Sequence, residues 1–191
     1  MTLDGVDFGG DLETVLAAHL SLPKPQAGES AEAAEIAATA ETIDFLAQAL
    51  LSQRSPALAF GVTAANSRAV AQERLRLLRA TYAPLTQLCH QQLGWPSCPL
   101  AIAWTLWLPL AIALATARRE LDRPLIQGIL GGQGTGKTTL AAALTVILTH
   151  LGYRVCALSL DDLYKTYAQR QQLQQHDPRL IWRGPPGTHD V

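Results

Sequence analysis

The octapeptide Gly131-Gly132-Gln133-Gly134-Thr135-Gly136-Lys137-Thr138 constrains this chain more than any other stretch. It satisfies the pattern G-x-x-x-x-G-K-[ST] at every fixed position. Glycines let a backbone curl until successive N–H groups face one anion. The lysine of such a loop reaches the outer phosphates of a nucleotide, and the threonine hydroxyl can ligate Mg²⁺. The flanks suit the same chemistry. After Pro124, Leu125-Ile126-Gln127-Gly128-Ile129-Leu130 reads as a buried parallel strand. Leu140, Ala141, Leu144, Ile147 and Leu148 then recur at helical spacing until Gly152 supplies a stop. The helix would aim its free N–H groups and positive dipole end at phosphate. The expected nucleotide contacts are Gly131, Gly132, Gln133, Gly134, Thr135, Gly136, Lys137, Thr138 and Thr139. The plain alternative is a glycine-rich turn without a ligand.

A second apolar run, Arg154-Val155-Cys156-Ala157-Leu158-Ser159-Leu160, reads as the next strand, parallel to the first through a right-handed crossover. Asp161 and Asp162 follow at its carboxyl end, where ligands of open parallel sheets sit. Phosphoryl transfer needs a base for the acceptor hydroxyl and a metal to spread phosphate charge, so Lys137, Asp161 and Asp162 are the catalytic candidates. Thr138 and Asp161 are the candidate Mg²⁺ ligands. Thr166 and Gln169 have the spacing of a capping box for a helix over 167–175. Farther on, Pro185-Pro186-Gly187 fixes a turn that presents Thr188, His189 and Asp190, with Arg183 nearby. These four residues form either a small-molecule site or simply a turn.

The region 1–122 reads as all-helical, and 123–191 as the first part of an α/β unit. Asp11 can cap a first helix, and Ser30 opens an alanine-rich one carrying Ile36, Ile43, Leu46 and Leu50. A helix from Asn66 to Tyr82 carries Arg74, Arg76 and Arg79, read as a solvated face, and Pro84 starts another. Cys98 to Ala117 contains no charged residue and is long enough for a bilayer. Pro109 and the alanine content favour a buried core helix, or two short ones, instead. A net charge of −1 gives no hint of a general nucleic-acid binder. The acidic N-terminus has no secretory pattern. Cys89, Cys98 and Cys156 fit no metal spacing and read as buried free thiols, consistent with a cytoplasmic protein.

The glycine loop, Ser159-Leu160-Asp161-Asp162-Leu163-Tyr164 and Arg183-Gly184-Pro185-Pro186-Gly187-Thr188-His189-Asp190 occur in this order. Together they resemble the D-glycerate 3-kinases of cyanobacterial and plant type, relatives of uridine kinase, pantothenate kinase and phosphoribulokinase. The resemblance covers residues 125–191. It implies a P-loop NTPase parallel sheet behind a helical N-terminal region, with ATP and Mg²⁺ as cofactors. The implied reaction is phosphorylation of D-glycerate to 3-phospho-D-glycerate, with Asp161 as base or metal carboxylate. Arg183, Thr188, His189 and Asp190 are the implied substrate hosts, and neither nucleic acid nor membrane is an implied partner. Leu163 stands where the family often has phenylalanine. Family members continue past this turn, so the chain reads as the N-terminal part of such a kinase. Another small-molecule kinase, of nucleoside or pantothenate type, and a non-catalytic nucleotide-binding module are the competing readings.

Overall fold

The computed structural model of the chain describes residues 8–21 and 40–190. The loop around Pro23 to Gly28 and the alanine-rich start of the helix expected from Ser30 lie outside the described residues. The chain divides into two compact units, Met1–Val155 and Cys156–Val191.

The first unit is helical. Its described elements are α1 (Phe8–Leu20), α2 (Ala40–Ser52), α3 (Arg54–Ala59) and α4 (Ser67–Gln91), followed by α5 (Leu100–Arg119) and α6 (Lys137–His150). α4 lies at the centre and packs against α2, α5 and α6. Apolar residues three and four apart supply its buried stripe: Ala71, Leu75, Leu78, Leu85 and Leu88. Leu46 and Leu50 from α2, Trp104 and Leu108 from α5, and Leu144 and Ile147 from α6 complete the core.

Pro84 does not start a new helix; α4 runs through it. An internal proline costs about 3 kcal/mol. Burying Leu78, Leu85 and Leu88 on both sides returns about 1.5–3 kcal/mol each, so packing outweighs the local defect. Arg74 is not part of a solvated face. It is only 4% exposed, while Arg76 is exposed and Arg79 half-buried.

α5 is long and apolar enough to cross a membrane. Its Trp104, Trp107, Leu108, Ala111 and Ala115 are buried in the unit. Proline does not split it. A π turn over Ala103–Trp107 comes first, with the Leu108 N–H donating to the Ala103 carbonyl. The next bond in that register would reach the Trp104 carbonyl from residue 109, a proline with no N–H to give. Arg74 Nη1 donates to this carbonyl instead, at 3.4 Å. Gly152, at φ 87°, ends the turn after α6, and the Tyr153 hydroxyl donates to the Ala115 carbonyl at 3.1 Å.

The expected parallel sheet is not there. Among the described residues no strand forms, and the one β-type pairing is an isolated antiparallel bridge between Tyr164 and His189. The runs 125–130 and 154–159 have no regular structure. Ile126 is 87% exposed and Leu130 95%; Leu158 and Leu160 are also exposed. A parallel strand is stable only when neighbours take its N–H and C=O groups and helices cover both faces. Neither run has such a neighbour, so the apolar pattern is present without the pairing that would make it a strand.

The second unit is built from short local motifs. A 3₁₀ turn over Leu160–Leu163 leads to α7 (Tyr167–Gln174), then a 3₁₀ turn over Pro178–Ile181 and the 184–187 turn. The expected capping box of α7 forms: Thr166 Oγ1 accepts from the Gln169 N–H, and Gln169 Oε1 accepts from the Thr166 N–H at 2.8 Å. Cys89 and Cys98 are buried thiols as expected, but Cys156 is exposed, because the run that was to bury it forms no strand.

Candidate functional site

The glycine loop of the first unit ends at Gly136, which caps α6 with a left-handed backbone, φ 83°. Gly134 is also left-handed, φ 76°. Two such residues reverse the chain sharply, at little steric cost for glycine alone. Gly131 is needed for a different reason. A Cβ there would stand 2.7 Å from Thr135 Oγ1, a hydroxyl that donates back to the Gly132 carbonyl at 2.9 Å. Lys137 is the first residue of α6. Its Nζ folds over the loop and donates to the carbonyls of Gly131, at 2.9 Å, and Gly132, at 2.7 Å. No side chain caps the first turn of α6, so its leading N–H groups face outward as a partial positive charge. Gln133 and Thr138 are exposed and Thr139 half-buried. The arrangement sets one ammonium over the loop beside an uncapped helix start, which suits an anion with several oxygens.

In the second unit, Asp161 and Asp162 both lie in the 3₁₀ turn and are exposed. Their roles differ. The Asp162 carboxylate accepts from the Ser159 N–H at 3.4 Å, completing a capping box. Asp161 gives its backbone N–H to Ser159 Oγ at 3.2 Å, which leaves its carboxylate out of the cap.

The turn residues meet around Tyr164. The His189 ring stacks on it with centroids 4.0 Å apart and planes at 29°. The Arg183 guanidinium lies 5.4 Å from the Tyr164 ring centre. Asp190 pairs with Lys165 Nζ at 2.6 Å, and its N–H donates to the Leu163 carbonyl at 2.7 Å. Thr188 is fully buried. Its hydroxyl donates to the Pro185 carbonyl at 2.7 Å, and its carbonyl accepts from the Lys165 N–H at 2.8 Å. Thr188 therefore pins the turn, while Arg183 and His189 share one aromatic surface. Tyr164 and Lys165 received no role from the sequence. The signal was their place just after the paired aspartates, but the link to residues 183–190 is long-range and cannot be read from spacing.

Arg170 ties this unit together. It donates to the Lys165 carbonyl at 3.2 Å and to the Ile181 carbonyl at 2.6 Å. Nearby, Arg179 bonds to the Asp177 carboxylate and holds its pKa well below the usual range, at about 2. Among the described residues no group of three or more His, Cys, Asp or Glu side chains could hold a metal alone. A magnesium ion here would need phosphate oxygens beside one or two protein ligands, which is its usual mode in kinases.

Two curated proteins are similar to part of the chain. An uncharacterized kinase of Schizosaccharomyces pombe, mug58, is 47% identical over 72 residues, which is 36% of this chain and 26% of the relative. The chloroplastic D-glycerate 3-kinase of Arabidopsis thaliana is 35% identical over 71 residues, 36% of this chain and 16% of the relative. The similarity is to kinases. The match thus spans about a quarter of one relative's length and about a sixth of the other's. No family profile matches the chain, and no solved structure matches it.

Proposed function

We propose that the chain carries the phosphate-binding loop and acceptor elements of an ATP-dependent kinase for a small hydroxy acid, D-glycerate being the best candidate. The observation that carries this reading is the glycine loop, with left-handed Gly134 and Gly136 and with Lys137 across its mouth at an uncapped helix start. Lys137 already satisfies loop carbonyls, so it is poised to exchange them for β- and γ-phosphate oxygens, which are better partners for an ammonium. The Thr138 hydroxyl, exposed one residue later, is the candidate ligand for a nucleotide-bound Mg²⁺.

Asp161 is the proposed base, because the Asp162 carboxylate is occupied in the capping box whereas that of Asp161 takes no part in it. It would take the proton of the acceptor hydroxyl as that oxygen bonds to the transferring phosphorus. Arg183 and His189 are the proposed hosts for the acceptor carboxylate, with Thr188 and Asp190 holding the turn that presents them. The D-glycerate 3-kinase named among the similar proteins supports this choice of acceptor over a nucleoside or pantothenate. The burial of Trp104, Trp107 and Leu108 in the first unit supports α5 as a core helix and not a membrane span.

The test is ADP release from ATP and Mg²⁺ with D-glycerate, uridine or pantothenate as acceptor. In a protein carrying these residues at the full length of its kinase relatives we expect release with D-glycerate alone, and a loss of about 10²–10⁴-fold in Asp161→Asn with ATP affinity kept. Preference for another acceptor would change the substrate. Saturable ATP binding with no transfer to any acceptor would leave a nucleotide-binding module.

A further inference from the structure

Two donors of the glycine loop converge on one atom. The Gly132 carbonyl accepts from Lys137 Nζ at 2.7 Å and from Thr135 Oγ1 at 2.9 Å, which engages both of its lone pairs. The Thr135 bond spans the left-handed Gly134 and so closes the turn that carries the chain into α6. An arriving phosphate chain draws the ammonium away, because charged oxygens are better partners for it than carbonyls. The Gly132 carbonyl then still has the Thr135 hydroxyl, and the turn keeps its closure.

The space in the loop points to the same side chain. Gly131 is not left-handed, so its conformation does not demand glycine. A Cβ there would stand 2.7 Å from Thr135 Oγ1, which no real Cβ tolerates. Its next contacts would be Thr135 Cβ at 3.7 Å and Lys137 Cδ at 3.8 Å, both ordinary van der Waals distances. Only the hydroxyl stands in the way. Turning it aside would clear the space but break its bond to the Gly132 carbonyl. We propose that Thr135 is the positioning residue of this loop: its hydroxyl holds the turn while Lys137 passes to phosphate, and the place it occupies is what requires glycine at 131. The first half rests on the nucleotide-binding reading above; the second is a property of the loop itself.

The experiment measures binding of a fluorescent ATP analogue with Mg²⁺ to the whole 191-residue chain, and ¹⁵N relaxation of the loop amides without nucleotide. Thr135 is exposed, so its substitution removes no core packing and Tm should hold. Thr135→Val keeps the shape and loses the donor. It should weaken binding about three- to tenfold, the range of one hydrogen bond, and lower the order of the Gly132 and Gly134 amides. Thr135→Ser should recover both. Gly131→Ala should weaken binding and disorder the loop in the wild-type background. Added to Thr135→Ala, where no hydroxyl meets the new Cβ, it should cost almost nothing further. Wild-type affinity and loop order in Thr135→Val would overturn the positioning role. An equal cost of Gly131→Ala with and without the hydroxyl would overturn the spacing argument. A wild-type chain that binds no nucleotide would sink the kinase reading, and the relaxation of the same variants would still decide what Thr135 does to the loop.

Discussion

The two units are held by opposite means. Every buried apolar side chain among the described residues belongs to the first, from Leu12 to Ile147. The second buries only Arg170 and Thr188, both polar, and each is bonded to backbone carbonyls. The glycine loop thus projects from a packed helical body, and Lys137 inherits its position from a helix whose Ala143, Leu144 and Ile147 are locked in the core. Arg183 and His189 are placed instead by a network of capping boxes, one ion pair and a stacked ring. Apolar burial is non-directional and sums over many contacts, whereas a hydrogen-bonded turn depends on a few specific partners. The first unit should therefore tolerate polar substitutions and fail on core truncation. The second should do the reverse.

The largest effect belongs to Trp104→Ala. The side chain is 1% exposed at the centre of the core, and its truncation should cost about 3–5 kcal/mol, read as a lower urea midpoint. The His189 ring signals in NMR should keep their ring-current shifts below the transition. Their loss alongside the core would mean that the units are not held independently.

Arg170→Met should be smaller and confined to the other unit. It removes charged donors from the carbonyls of Lys165 and Ile181, for about 1.5–3 kcal/mol of local stability. Amide exchange at Trp182, whose N–H donates to the Arg179 carbonyl, should accelerate while the amides of α4 keep their protection. Unchanged exchange at Trp182 would show that the network is less dependent on Arg170 than its bonds suggest.

The smallest effect is a titration. The Asp177 carboxyl is lowered from 3.8 to about 2 by Arg179. Whatever it contributes is present above the unfolded value and fades as pH falls through the folded one, so only its loss is confined to strong acid. An NMR titration should place its midpoint near 2, and Arg179→Gln should raise it only part of the way to the ordinary value, since the residue-179 N–H still donates to the carboxylate. An unmoved midpoint would assign the shift to another cause.

Legibility in the sequence followed the same division between local and long-range. The glycine turn, the stop at Gly152 and the Thr166–Gln169 capping box were readable because each depends on a few adjacent residues. The strands were not, because an apolar run such as 125–130 states a preference for burial and says nothing of whether a neighbouring strand exists to pair with it. Pro84 misled for a related reason: its local cost is visible, but the leucines that outweigh it act through tertiary packing. Arg74 misled because an arginine between Glu73 and Leu75 reads as surface unless one knows that Pro109, thirty-odd positions away, leaves a carbonyl for it to cover. Around Tyr164, the turn was legible in Pro185-Pro186-Gly187, but the gathering of Arg183 and His189 on that ring was not.

Nucleotide binding by the glycine loop is the first requirement of the proposed reaction. Titration of a fluorescent ATP analogue with Mg²⁺ against the wild-type chain and Lys137→Ala tests this. Wild type should bind saturably, with unlabelled ATP in competition. Lys137→Ala should lose nearly all affinity with its Tm unchanged, since the side chain bonds only to loop carbonyls in an exposed segment. Equal affinity in the two proteins, or no saturable binding by wild type, would contradict the account.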